Sequence, residues 1–110
     1  MITSDDAEKA VEWLRDNARK LAQAKAERVY MEAWIKTAKA EAMREHASLP
    51  IAGQEREALT SSGYLSALQA YKQAVEADEF MRWMATAAEA KLEAWRSQES
   101  TRRAEGKAYQ

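Results

Sequence analysis

Apolar residues recur along this 110-residue chain at alternating steps of three and four. From Ala10 the walk gives Ala10, Leu14, Asn17, Leu21, Ala24, Arg28, Met31, Ile35, Ala38 and Ala42, in which only Asn17 and Arg28 are polar. From Tyr64 it gives Tyr64, Ala67, Tyr71, Ala74, Asp78, Met81, Ala85, Ala88, Leu92 and Trp95, in which only Asp78 is charged. Residues at this spacing share one face of a helix, and a seven-residue repeat held over many turns marks a left-handed coiled-coil seam. The pattern predicts two long amphipathic helices and no sheet.

The breakers divide the chain. Asp5, Asp6 and Glu8 place negative charge at a helix start, and Ser4 is the expected cap. The first helix is predicted over residues 4–46. Ser48, Pro50 and Gly53 then open a connector over 47–61. Within it a short helix is expected from Ile51 to Leu59, with Ile51, Ala52 and Leu59 inward. Thr60, Ser61, Ser62 and Gly63 form a capping cluster, the second helix is predicted over 62–103, and a frayed tail over 104–110. Two helices joined by a short connection pack antiparallel. The expected fold is therefore all-α and a single domain: a long, coiled-coil-like antiparallel hairpin with a short helical connector.

In that hairpin Arg28 and Asp78 fall at nearly the same height, predicting a structural ion pair that fixes register. The apolar arc is wider than one two-helix seam needs, because Trp13, Trp34, Trp83, Trp95, Tyr64 and Tyr71 all lie on or beside the rows. A homo-oligomer, a dimer or higher, is expected to close into a helix bundle. Its core is assigned to Leu14, Leu21, Met31, Ile35, Tyr71, Met81, Leu92 and Trp95.

Composition agrees with helix: Ala, Glu, Lys, Arg and Gln dominate, with three glycines and one proline. Seventeen basic against eighteen acidic residues leave a net charge of -1, so no global field draws the chain to nucleic acid or membrane. There is no cysteine. The N-terminus lacks the basic and apolar regions of a signal peptide, and no stretch is long enough for a membrane span. A soluble cytoplasmic protein is expected.

Enzymatic chemistry finds no foothold. His46 is the single histidine and Met43 precedes it by three, so the Glu-x-x-His pair of di-iron bundles is absent. Zinc needs several His or Cys ligands, and no serine sits in a nucleophile elbow. Acid groups such as Glu41 with Glu45, or Glu89 with Glu93, are interleaved with Arg44 and Lys91, as on a solvated helix face. No glycine-rich phosphate loop exists. No catalytic residue, cofactor or metal is expected.

One local charge pattern stands out. Between Asn17 and Ala40 there are six basic residues, Arg19, Lys20, Lys25, Arg28, Lys36 and Lys39, against Glu27 and Glu32. With Trp34 and Tyr30 close by, this strip is a candidate contact for a nucleic-acid backbone or a partner protein. Glu76, Asp78 and Glu79 could instead neutralise it from the second helix.

Several segments resemble a family of small α-helical proteins of unassigned function from tailed bacteriophages and prophages. They are Ala24-Lys25-Ala26-Glu27-Arg28-Val29-Tyr30-Met31-Glu32, Lys39-Ala40-Glu41-Ala42-Met43, Pro50-Ile51-Ala52-Gly53-Gln54-Glu55-Arg56-Glu57, Ala74-Val75-Glu76-Ala77-Asp78-Glu79 and Glu93-Ala94-Trp95-Arg96. The resemblance implies a phage origin, a place in the host cytoplasm and a link to DNA metabolism. Three roles follow as expectations: an accessory factor in phage DNA replication or recombination, an inhibitor of a host defence or transcription protein, or a structural scaffold oligomer.

Overall fold

The computed structural model describes residues 1–108, and among them the chain is an all-α helical hairpin without a strand. Helix α1 runs Ser4–Arg44, α2 Ile51–Leu59 and α3 Ser62–Ala108. Among the described residues no helix is long and apolar enough to cross a membrane.

Each boundary has a local cause. Thr3, rather than Ser4, caps α1. The Thr3 backbone N–H donates to Asp6 Oδ2 at 2.9 Å, and the Asp6 N–H donates to Thr3 Oγ1 at 3.1 Å. This reciprocal box satisfies two of the helix's free amides and leaves Ser4 as the first helical residue. The Thr3 backbone N–H, and after it the Thr3 side chain, hold the Asp6 carboxyl below its ordinary value. At the other end α1 stops at Arg44, two residues before the predicted boundary. There the His46 N–H turns back to the Met43 carbonyl at 3.0 Å, and the Leu49 N–H to the His46 carbonyl at 3.0 Å. Pro50 cannot continue that helix but starts α2, accepting the Gln54 N–H at 2.9 Å.

Ser61 serves two helices. Its hydroxyl donates to the Ala58 carbonyl at 2.7 Å, closing α2, and accepts the Tyr64 N–H at 3.3 Å, opening α3. The predicted tail from residue 104 is helical as far as Ala108. Arg102 and Arg103 both reach Glu99, at 3.0 Å to its side chain and 3.4 Å to its carbonyl, and the residues beyond are good helix formers apart from Gly106. Residues 109 and 110 of that tail lie outside the described part.

The chain divides into two compact units. The first joins Met1–Leu21 to the chain from Phe80 onward. Here Ala7 and Ala10 of α1 are buried, as is Ala88 of α3. Leu14, Met81, Leu92 and Trp95 are half-buried around them. Gln98 fastens the start of the chain, donating to the Ile2 carbonyl at 2.7 Å and accepting the Ile2 N–H at 3.1 Å. Asn17, the polar member of this row, donates to the Trp13 carbonyl at 2.9 Å, so it needs no partner across the seam.

The second unit is Ala22–Glu79, comprising the rest of α1, all of α2 and the first part of α3. Met31, Ala38, Ala42, Ala67 and Ala74 are buried, and Ile35 and Tyr71 are half-buried beside them. Helix α2 closes the unit with Ala58, which is fully covered. The expected inward side of α2 is wrong on this point: Ile51 is 69% and Leu59 46% exposed. Pro50 and Ser61 hold the two ends of a nine-residue helix, and the face they leave inward carries the smallest side chain.

Among the described residues eight of the nine buried apolar ones are alanine, and no large side chain is fully buried. The seven-residue rows are the intrachain seam in both units, and small residues there let two helices approach closely. Leu14, Leu21, Ile35, Tyr71, Met81, Leu92 and Trp95, assigned from sequence to an oligomer core with Met31, are half-buried members of that seam. Packing within one chain already covers part of each of them.

Candidate functional site

The charged members of the two rows meet in the second unit. Arg28 Nη1 lies 3.1 Å from Asp78 Oδ2 and 3.0 Å from Glu79 Oε1. Asp78 is 4% exposed, the only polar residue at that depth among the described residues. Hydrogen bonds that Arg28 donates to Asp78 and then Glu79 raise its guanidinium above its ordinary value. A cation held by two carboxylates inside an alanine seam is a structural link. Two carboxylates already balance its charge, which weakens its pull on a phosphate.

Arg28 therefore leaves the candidate basic strip, and helix geometry divides the rest. Successive residues turn by about 100° on a helix of 3.6 residues per turn. Lys25, Glu32, Lys36 and Lys39 fall on one flank of the α1 seam. Lys20 and Trp34 fall on the opposite flank, and Arg19 points away from the seam. Arg19 and Lys20 also belong to the first unit, whereas the other candidates belong to the second. Trp34 and Tyr30, both exposed, thus do not interleave with the lysines. The residue that does is Val29, which is also exposed.

The second unit adds a lysine that reading one helix at a time misses. With Arg28 opposite Asp78, antiparallel helices set residues 34–39 of α1 opposite residues 67–72 of α3. In an antiparallel pair like flanks adjoin, so Lys72, just outside the α3 seam, joins the face of Lys25, Lys36 and Lys39. Among the described residues none of these four has an acidic partner within ion-pair distance, while Asp78 and Glu79 are both taken by Arg28. Leu65 and Leu68, both exposed, lie on the same flank of α3. Lys25 to Lys39 spans about 21 Å at 1.5 Å per residue.

The first unit offers a different surface. An open groove of about 370 Å³ has Ala7, Val11, Leu92 and Trp95 as its floor, with Glu8, Glu12 and Arg15 at its rim. On the opposite flank Trp13 lies beside Met84 and Ala87, with Lys9 and Lys91 at the edges. Neither depression gathers a nucleophile and a base. Among the described residues no group of three or more His, Cys, Asp or Glu side chains is placed to hold a metal ion. His46 is half-buried at the turn after α1.

The chain matches no protein-family model, no curated protein and no solved structure. Its own side chains therefore carry the functional reading.

Proposed function

We propose that this chain is a non-enzymatic accessory protein of phage DNA replication or recombination that contacts the DNA backbone through one flank of its second unit. The phage assignment rests on the resemblance of the segments named above. One observation supports the DNA contact: Lys25, Lys36, Lys39 and Lys72 share a flank with two acids, Glu32 and the Arg28-bonded Glu79, and among the described residues none of the four lysines is in an ion pair. A cation already paired gains little from phosphate, whereas an unpaired lysine releases the counterion that phosphate holds. Without aromatic rings among them, the four lysines favour backbone contact over base stacking and predict weak, sequence-independent binding.

Fluorescence anisotropy with single- and double-stranded DNA tests this at low and moderate salt. Four phosphate contacts on duplex predict a log–log salt slope of about -3.6, and Lys25→Gln with Lys36→Gln reduces its magnitude by about 2. Absence of binding at low salt overturns the reading.

A second reading, a phage inhibitor that docks on a host defence or transcription protein, is favoured by the connector. Leu49 just before α2, and Ile51 and Leu59 at its two ends, are all exposed there. A dominant host protein captured by the wild type and lost with Ile51→Lys would support it.

A further inference from the structure

The outer side of α3 in the first unit breaks the rule for a solvent-facing helix. Opposite the seam, steps of three and four give Phe80, Trp83, Ala87, Ala90, Ala94, Ser97, Thr101 and Ala104. No member is charged, all are exposed, and Phe80 and Trp83 are 62% and 69% accessible. A surface helix carries charged or polar groups on this side. This row instead repeats the pattern of the seam, with a period that suits a second helix.

We propose that the occupant is a second copy of this chain, its α3 running antiparallel along the same row. The row is graded, with its two aromatics at one end and small residues from Ala87 onward. Only a two-fold, antiparallel mate sets each bulky end against a small one. Layering as in a coiled coil places Trp83 over Ala94 of the second copy, Phe80 over its Ser97, and Ala87 over its Ala90.

Charge selects this register. Lys91 then flanks Met84 of the second copy, and Glu93 flanks its Thr86. Sliding one heptad toward the C-terminus sets Lys91 beside its own counterpart, and sliding the other way cuts the shared stretch to Phe80–Ala90.

Area points the same way. The chain exposes 8393 Å², against about 6,200 Å² for a folded monomer of its mass. A standard interface removes about 800 Å² from each partner, well within that excess. The pairing is independent of the DNA reading, because the four lysines lie in the other unit.

Sedimentation velocity across a concentration series tests the pairing. The wild type should sediment at twice the 12.5 kDa chain mass. Ala90→Glu and Trp83→Glu, both at exposed positions, should retain wild-type helicity by circular dichroism. Each should weaken association at least tenfold, while Leu65→Lys leaves it unchanged. Because the chain has no cysteine, oxidising an equal mixture of Trp83→Cys and Ala94→Cys chains should join unlike chains in preference to like ones. A wild-type monomer throughout, a dimer indifferent to both glutamates, or faster linking of Trp83→Cys to itself each overturns the proposal.

Discussion

Ala67→Leu tests whether the seam is closed by alanine or merely lined by it. Ala67 is 3% exposed on the inward row of α3, in the unit that also buries Ala38, Ala42 and Ala74. Leucine adds three carbons. If the seam had room for them, burial at about 0.8 kcal/mol per carbon would add about 2.4 kcal/mol of stability. In a seam set by alanine the added carbons force the helices apart or into strained rotamers, at a cost of about 1–3 kcal/mol. The two cases differ in sign. At roughly 4 °C per kcal/mol for a chain of this size, the substitution should lower Tm by about 4–12 °C.

Ala40→Leu is the control. Ala40 is exposed on the same unit, and leucine differs from alanine there by only a few tenths of a kcal/mol in helix propensity, on the order of 0.2. Thermal and urea unfolding followed by circular dichroism give both numbers. Two protein concentrations separate folding from self-association, which makes Tm concentration-dependent. A rise in Tm for Ala67→Leu would refute the close-packed seam.

Other outcomes follow from the same geometry. Because Asp6 is held below its ordinary 3.8 by Thr3, its stabilising effect is complete above that value and is lost as pH falls through the lower folded value. The stability gap between wild type and Asp6→Asn should thus be constant near neutrality and close below about pH 4 in acid titrations of Tm. Arg28→Met strands the buried Asp78 carboxylate, so its urea midpoint should fall further than that of Glu79→Ala, and Arg28→Met with Asp78→Leu should regain most of the loss. Gly63→Ala should stabilise by about 0.5–1 kcal/mol in the same urea assay, since Gly63 is helical and its added methyl group meets nothing within 4 Å.

The two rows were readable from sequence because a step of three then four can serve only one helix face. Every member from Ala10 to Ala42 and from Tyr64 to Trp95 is shielded. Side-chain size misleads about depth: Leu14, Leu21 and Leu92 look like the core, yet alanine lies deeper because close helices push longer side chains to the flanks. Orientation of α2 was not legible, since nine residues bounded by Pro50 and Ser61 are aimed by their ends and not by their apolar pattern. Lys72 escaped notice for a related reason. Its place beside Lys36 and Lys39 is a property of two helices in register, which no reading along one of them contains.

That register depends on a single detail. A seam of near-identical small steps resembles two rulers with equal ticks, free to slide by one division at little cost. Arg28 is the peg: moved one heptad, the carboxylate of Asp78 would sit against Leu21 or Ile35 and lose the one cation of the α1 seam. Alignment is thus set far from the bend, which frees the bend itself. Residues 45–50 should tolerate added glycines or serines without altering which residues face one another, giving a place to graft a reporter.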